Sequence, residues 1–379
     1  MTSRQRLLTA LNHKEPDRIP YDLDGTNQSG IHYIAYRNLL SYLGIRKDEI
    51  TICDPIQQLA HVHEDVLEKL KVDTRIIYPK DPSNWKLNIE EDKEGKYFID
   101  QYGIKWTMHK GGFYFDPTGH PLTEGSIEEL NNHPFPDPSD QKRIEGLKEV
   151  ARGFRERGFP VNMMSMSGGF FEASFWLRGF ENFYCDLAGN PRYACSLMDK
   201  LLEIEMGYWD LVLSELGDYI DIALTANDLG GQDGPVISPS MYRKYIKPRQ
   251  KKLNSFIKKK KPSIYIFFHC CGSIYDLLPD LIETGIDIIN PVQVSAAKMN
   301  TKRLKKEFGD ALTFWGGIDT QEILPYGTPQ EVKDEVKRRI DDLAPGGGFV
   351  LTSVHNIQAD VPPENIMAMW ETLQEYGKY

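Results

Sequence analysis

A histidine and two adjacent cysteines close a short apolar run in the stretch FFHCCGS, residues 267–273. Side chains alternate between the two faces of a β-strand. If this run is a strand, His269 and Cys271 project to one face, and Cys270 projects to the other. An imidazole and a thiolate on one face can bind the same zinc ion, with bonds of about 2.1 and 2.3 Å. The His-x-Cys spacing is a weak pattern, and by itself it favours a packed cysteine beside a hydrogen-bonded histidine over a metal site.

A catalytic zinc ion needs about three protein ligands and one open position. We predict His355 as the third ligand, because it follows another apolar run, GFVLTSV, and so lies at the end of a predicted strand. Other polar side chains also follow predicted strands, and these are Asp22, Asp24, Asn227, Asp228 and Asp319.

Two further histidines, His61 and His63, lie in the stretch HVHEDVLEKLKV. This pattern predicts a helix, in which residues two apart diverge by about 200°. We therefore assign both histidines to structure or surface. The glycine-rich stretch GGQDG, residues 230–234, lacks the Lys-Ser/Thr of a phosphate loop and the spacing of a dinucleotide fingerprint. It predicts a flexible loop between a strand and a helix.

Composition argues against two classes of partner. The formal net charge is -10 at pH 7, which disfavours binding to nucleic acid or to an anionic membrane surface. The longest apolar run, near residues 264–268, is far shorter than the roughly 20 residues of a membrane span. The N-terminal stretch lacks the apolar segment of a signal peptide.

The five cysteines form no regular framework, so we expect a soluble cytoplasmic protein whose thiols are free or bind metal.

Short β-branched or aromatic runs alternate with longer amphipathic stretches, a pattern typical of βα units around a parallel sheet. Eight candidate strands cover residues 18–23, 72–79, 160–166, 219–228, 263–270, 286–292, 312–318 and 348–354. Eight is the strand number of a (β/α)8 TIM barrel, in which catalytic groups follow the C-terminal ends of the strands. We predict one such domain over residues 1–379, with an N-terminal helical extension. A doubly wound sheet is the alternative.

Two segments add detail to this barrel. Residues 87–117 alternate in polarity and turn at glycines, which predicts a small antiparallel β meander inserted between the second and third strands. The segment SGGFFEASFWLRGF, residues 167–180, follows the third strand with five aromatic residues and one acid. These aromatic side chains either pack the following helix or form a substrate wall, and the sequence favours neither. The residues predicted for such a wall are Phe170, Phe171, Phe175 and Trp176.

Over nearly its full length the chain resembles the uroporphyrinogen decarboxylase superfamily, which implies a (β/α)8 barrel. Five stretches carry the resemblance, namely RLLTALNHKEPDRIP, LTANDLGGQDGPVISPSMYRKYIKPRQKKL, HCCGSIYDLLPDLIETGIDIINPVQ, WGGIDTQEILPYGTPQEVKDEV and GGFVLTSVHNIQADVPPENIMAMWE. The decarboxylases carry an arginine-rich motif after the first strand, which holds the substrate's carboxylates. This chain has YDLDGTNQSG there, and Asp22 and Asp24 would repel such a substrate. The chain is more similar to the corrinoid-dependent methyltransferase branch.

That branch implies a zinc site. Its enzymes hold zinc through a His-x-Cys pair at the end of one strand, matched here by His269 and Cys271, and through a cysteine after the last strand. This chain has His355 at that last position. Two imidazoles and one thiolate leave zinc more positive than two thiolates do, and so make it a stronger Lewis acid. A stronger Lewis acid suits the cleavage of an aryl methyl ether, in which a departing phenoxide must be stabilised.

The resulting hypothesis is the methyltransferase component of an anaerobic O-demethylase, which moves a methyl group from a methoxylated aromatic compound to cobalt. A partner protein would carry the corrinoid, because the chain contains no D-x-H-x-x-G motif. We assign catalytic roles to Glu172 and Asp228 and a substrate contact to Asn227. A thiol methyltransferase of the coenzyme M type and a metal-free binding barrel are the alternatives. The sequence leaves the oligomeric state open, with a homodimer as one option.

Overall fold

The computed structural model describes residues 1–166 and 168–379. Its strands are β1 Ile31–His32, β2 Ile52–Asp54, β3 Leu59–Ala60, β4 Arg75–Ile77, β5 Glu90–Glu91, β6 Gly95–Ile99, β7 Lys105–His109, β8 Asp116–Gly119, β9 Val161–Met163, β10 Ile222–Ala226, β11 Tyr265–His269, β12 Ile288–Asn290, β13 Thr313–Trp315 and β14 Phe349–Val350. Its α-helices are α1 Ser3–Leu11, α2 Tyr33–Tyr42, α3 Glu64–Lys69, α4 Ile127–Asn132, α5 Leu147–Glu156, α6 Phe170–Arg178, α7 Phe180–Gly189, α8 Pro191–Glu215, α9 Pro239–Met241, α10 Lys247–Lys260, α11 Leu278–Glu283, α12 Thr301–Phe308, α13 Ile323–Tyr326, α14 Pro329–Leu343 and α15 Pro363–Tyr376.

Seven parallel strands form a curled sheet in the order β4, β9, β10, β11, β12, β13, β14. Residues 20–22 occupy the eighth position. Tyr21 forms a parallel bridge with Leu351, just beyond β14. On its other side, the Tyr21 carbonyl accepts a hydrogen bond from the amide of Asp73 at 2.9 Å. The predicted (β/α)8 barrel is therefore confirmed, with a first strand reduced to a short extended segment.

The strands separate two apolar layers. Inside the barrel, one cluster of buried side chains comes from alternate strand positions, namely Ile76, Ile222, Leu224, Phe267, Ile288, Trp315 and Val350. Leu7 and Leu11 of α1 join this cluster, so the predicted N-terminal helix packs on the barrel interior. The intervening residues Ile266 and Phe268 belong to the larger core beneath the helices. Since Phe267 points inward, the strand period of two also turns His269 toward the barrel axis.

The inserted segment forms a four-stranded antiparallel sheet in the order β5, β6, β7, β8. It lies between β4 and β9 along the chain and ends at Gly119, two residues beyond the predicted meander. Phe98 on β6 and Trp106 on β7 are buried. They form part of a cavity wall described below, so the insertion contributes directly to the candidate site.

Two helices begin at threonine N-caps, whereas one predicted helix begins later than its pattern indicated. Thr2 caps α1, and Thr328 caps α14 in a capping box with Glu331. The predicted helix at His61 and His63 is wrong at its first residues, since α3 begins at Glu64. The amide of His61 donates to Thr51 at 2.8 Å, and this strand-like contact keeps the segment extended. In the described part of the chain, no helix is both long and apolar enough to cross a bilayer.

Candidate active site

A cavity of about 500 Å³ opens where the barrel strands end. The segments after β9, β10 and β14 line it, together with the end of β11 and part of the inserted sheet. The lining side chains used below are Trp85, Phe98, Trp106, Glu172, Trp176, Asp228, His269 and His355. Side chains from distant parts of the sequence therefore meet at the edge of the barrel where TIM-barrel active sites lie.

The aromatic part of the wall differs from the predicted one. Trp176 lines the cavity and contacts Trp106 edge to face, with ring centroids 5.3 Å apart. Phe170 and Phe171 have no exposed surface, and Phe171 packs against Phe175 at 5.9 Å. Helix α6 turns Glu172, Ala173 and Trp176 toward the cavity, because positions three and four apart share a helix face. The phenylalanines lie on its other faces, so Trp85, Phe98 and Trp106 take the place of the predicted Phe170, Phe171 and Phe175.

The strand-end histidine and cysteine face each other. Nε2 of His269 lies 3.4 Å from Sγ of Cys271, so the prediction that these two side chains share a face is confirmed. Cys270 is completely buried in the core beneath the helices, where its sulfur accepts a hydrogen bond from the amide of Leu229 at 3.2 Å. Only the outer two residues of the triplet HCC can therefore act on a common ligand.

His355 completes a group of three nitrogen and sulfur donors. One donor atom from each of His269, Cys271 and His355 lies within 4.8 Å of the other two. The two imidazole rings meet edge to face, with centroids 5.5 Å apart. Burial, together with His269, lowers the pKa of His355 to about 3, so its imidazole is neutral at pH 7. Neutral imidazole is the form that donates a lone pair to a metal ion.

A residue that the sequence analysis missed orients His269. Asn290, at the end of β12, donates from Nδ2 to the carbonyl of Trp315 at 2.9 Å. Its Oδ1 therefore faces Nδ1 of His269, 2.7 Å away, and accepts a hydrogen bond from the Nδ1–H group. The tautomer that follows leaves the lone pair on Nε2, directed toward Cys271. The available signal was the amide side chain within the predicted strand IDIINPV, residues 286–292.

Two acids border the three donors. Oδ1 of Asp228 accepts a hydrogen bond from the Cys271 amide at 2.9 Å and lies 3.7 Å from Nε2 of His269. Glu172 lines the cavity, and burial raises its pKa well above the usual range, with Asp228 adding to the shift. Burial likewise raises the pKa of the Cys271 thiol. Burial therefore favours the protonated forms of both Glu172 and Cys271.

Other polar residues at strand ends have local partners instead. Asn227 is buried, and its Oδ1 accepts from the Phe171 amide at 2.8 Å, so it fixes the start of α6 and lies outside the described cavity lining. Asp22 accepts from Thr74 at 2.6 Å and from the Trp315 indole at 2.7 Å. Asp319 accepts from the Gln321 amide at 2.7 Å in a local turn. The predicted substrate contact of Asn227 thus has no support in this position.

The described cavity lining is predominantly acidic. Its lysine and arginine side chains are Lys80 and Arg143, whereas its acids are Asp54, Asp81, Asp100, Glu172 and Asp228. Arg143 is buried and directs its guanidinium to neutral acceptors, the side-chain oxygen of Gln101 at 2.5 Å and the carbonyl of Asp137 at 3.3 Å. Such a lining favours a small, mainly apolar molecule over one that carries many negative charges.

The barrel and its cavity define the class of protein as an α/β-barrel enzyme with two imidazoles and a thiol gathered at the barrel mouth. Residues 99–376 match the family described as uroporphyrinogen decarboxylase (URO-D). The chain therefore belongs to the uroporphyrinogen decarboxylase family, as its sequence motifs predicted.

Similar proteins cover the whole chain at low identity. A uroporphyrinogen decarboxylase of Geobacter sulfurreducens is 23% identical over 382 residues, which cover 98% of this chain and 99% of the relative. A uroporphyrinogen decarboxylase of Trichlorobacter lovleyi is 25% identical over 374 residues, which cover 96% of each chain. The structure of a methyltransferase from Methanosarcina mazei superposes with a TM-score of 0.66 at 19% identity and covers 99% of both chains. The last similarity establishes a shared fold.

Proposed function

We propose that this enzyme transfers the methyl group of a methoxylated aromatic compound to the cobalt of a separate corrinoid protein, and that His269, Cys271 and His355 hold a zinc ion for this reaction. The observation that carries the proposal is the convergence of two imidazoles and a thiol within 4.8 Å of one another. His269 and His355 also line the cavity, so a ligand in the cavity reaches the same place. The shared fold with a methyltransferase is consistent with this assignment.

The donor set fits zinc in three respects. Nitrogen and sulfur are its preferred protein ligands, and three of them leave one position for substrate. Both imidazoles offer free lone pairs, since Nδ1–H of His269 donates to Asn290 and leaves Nε2 unprotonated, and His355 is neutral. The thiol of Cys271 loses its proton when it binds a metal ion, which couples zinc affinity to pH. Asp228 holds the backbone at Cys271 in position for that contact.

Demethylation of an aryl methyl ether breaks the bond between oxygen and the methyl carbon. Zinc, when bound, supplies a Lewis acid that offsets the negative charge developing on the ether oxygen. The electron pair of cobalt(I) forms the new bond to the methyl carbon, and the bonding pair leaves with the phenolate. Glu172, whose protonated form is favoured by burial, donates its proton to the phenolate oxygen. The flat walls of Trp106 and Trp176 orient the aromatic ring.

The names of the curated relatives suggest a different reaction, decarboxylation of uroporphyrinogen. The scarcity of cations in the cavity argues against it, because a substrate with eight carboxylates requires many cations and the described lining offers Lys80 and Arg143. The segment after the first strand supplies Asp22 and Asp24 where decarboxylases carry arginines. This segment therefore supplies no cation for the carboxylates of such a substrate.

A direct assay separates the reactions. Purified protein, loaded with zinc and mixed with a corrinoid protein reduced to cobalt(I), should release phenol products from 2-methoxyphenol and form methylcobalt. The His269→Ala and Cys271→Ala variants should lose this activity. Parallel reactions contain methylcobalamin with coenzyme M, or uroporphyrinogen alone.

Methylation of the thiol without ether cleavage would replace the proposal with the thiol methyltransferase alternative. Release of carbon dioxide from uroporphyrinogen would instead identify the enzyme as a decarboxylase. Full ether cleavage by zinc-free protein would show that the reaction does not need a zinc ion on His269, Cys271 and His355.

A further inference from the structure

Apart from the catalytic cavity, a second group of metal-binding residue types lies beside a separate, smaller cavity. One donor atom from each of Asp24, Cys53 and His61 lies within 4.8 Å of the other two. We propose that these three residues form a second site for zinc or a chemically similar divalent ion, structural in role and separate from the catalytic cavity. A carboxylate, a thiolate and an imidazole are all established ligands of such ions.

Three separate segments bring the donors together. Asp24 follows the first barrel segment and has a positive φ of 62°, a conformation that redirects the chain. Cys53 lies where the pairing of β2 with β3 shifts register between Ile52 and Asp54, and such irregularities re-aim a side chain. His61 comes directly after β3 and remains tied to Thr51 on the other side of the hairpin. The hairpin and the loop thus converge on one point.

The carboxyl group of Asp24 has unused capacity to bind a cation. Its side chain is buried to 1% exposure. Oδ2 accepts a hydrogen bond from the Val62 amide at 2.9 Å and lies 3.7 Å from Nδ1 of His61. Oδ1 is buried and has no hydrogen-bond partner among the described residues. A buried oxygen without a partner costs free energy, and coordination of a metal ion would remove that cost.

Cys53 is also only weakly engaged. Its sulfur lies 3.6 Å from the carbonyl of Leu59 and 3.8 Å from the hydroxyl of Tyr78, both long contacts for a weak donor. The other cysteines offer no disulfide partner, since all five are free. The thiol is therefore available as a ligand.

Space and access exist at the same place. Asp24 and His61 line a cavity of about 240 Å³, and His61 keeps 57% of its side chain exposed, so an ion can enter from solvent. Arg75 also borders this cavity, but its guanidinium is paired with Glu64 at 2.7 Å. Tetrahedral zinc places ligand atoms on the order of 3.5 Å apart, so a small rotation of the exposed imidazole completes the contact.

The position explains what the ion would do. Residue 53 is followed by Asp54, Pro55, Ile56 and Gln57, which line the catalytic cavity. An ion on Asp24, Cys53 and His61 would anchor this wall to the barrel. It would act without contact with substrate.

Zinc counting tests the proposal. Protein stripped of metal with a chelator, reloaded with Zn²⁺ and passed through a desalting column is analysed by mass spectrometry. Compared with its parent, the His61→Ala variant should hold one equivalent less and so should the Cys53→Ala variant. The His63→Ala variant is the matched control, because Nδ1 of His63 bonds to the Tyr36 hydroxyl at 2.8 Å, and it should hold as much zinc as the parent.

The Cys271→Ala background separates the two sites. Loaded with Co²⁺, this variant should retain a thiolate-to-cobalt absorption band, and adding Cys53→Ala should abolish it. If His61→Ala and Cys53→Ala hold as much zinc as the parent, or if the cobalt band persists in the double variant, the second site does not exist. This result is independent of the ether-cleavage assay, so either proposal can fail alone.

Discussion

Nδ1 of His269 lies 2.7 Å from Oδ1 of Asn290, and the two residues are direct partners in the parallel pairing of β11 with β12. The barrel's own hydrogen-bond register thus determines which nitrogen of His269 faces Cys271. A shift of register by one residue would turn either side chain to the opposite face of its strand.

Replacement of Asn290 by alanine should weaken zinc binding. Without the acceptor, the Nδ1 proton is no longer fixed, and loss of such an outer partner typically costs about 10–100-fold in metal affinity. Competition with a chromogenic chelator measures the change. The Asn254→Ala variant is the control, since Asn254 is a buried amide that bonds Thr284 instead. Equal affinities in the two variants would contradict the orienting role.

The adjacent cysteines should respond differently to substitution. Cys271→Ala removes a proposed ligand and should abolish binding of one zinc equivalent. Cys270→Ala should leave zinc content unchanged and lower the free energy of unfolding by about 1 kcal/mol, because Cys270 is buried in the core. Metal analysis and urea titration distinguish these outcomes. Zinc loss in the Cys270 variant alone would refute the assignment of faces.

Alanine substitutions of two aromatic residues of α6 should have different effects, one on substrate binding and the other on the free energy of unfolding. Trp176→Ala should raise the KM for 2-methoxyphenol, since Trp176 lines the cavity, with a modest effect on unfolding. Phe171→Ala should lower the free energy of unfolding by about 3–5 kcal/mol, because Phe171 has no exposed surface. Steady-state kinetics and urea denaturation measure the two effects. A stable Phe171→Ala protein with a raised KM would return the phenylalanines to the substrate wall.

Glu205 on α8 should make stability fall as pH rises. Both of its carboxylate oxygens are buried without a hydrogen-bond partner among the described residues, and burial raises its pKa from 4.5 to about 8. Between these two values the unfolded chain releases the proton while the folded chain retains it. The contribution of Glu205 to the free energy of unfolding is therefore greatest below pH 4.5. It decreases by about 1.4 kcal/mol per pH unit up to about pH 8.

The Glu205→Gln variant lacks this titration and serves as the comparison. The difference in unfolding free energy between variant and parent should shift in favour of the variant as the pH increases from 5 to 8. Urea titrations across this interval measure it. A difference that does not change with pH would show that the Glu205 pKa is not raised by folding.

Much of the barrel could be predicted from the sequence because its signals are local. The alternation in FFHCCGS placed His269 and Cys270 on opposite faces of one strand, because side chains in a strand repeat every two residues. The helix prediction was wrong for the first residues of HVHEDVLEKLKV, because contacts with Thr51 and Asp24 keep His61 and Val62 extended.

The sequence by itself determined the residue types, their spacing along each strand and hence which side chains share a face. Tertiary structure alone decided which faces meet. It brought His355 against His269 from a distant part of the chain, selected Trp176 over Phe171 for the cavity wall, and set Asn290 beside His269. Such contacts form when the barrel closes and α6 packs against it. Residues that are far apart in the sequence then become neighbours, and their separation along the chain does not predict this.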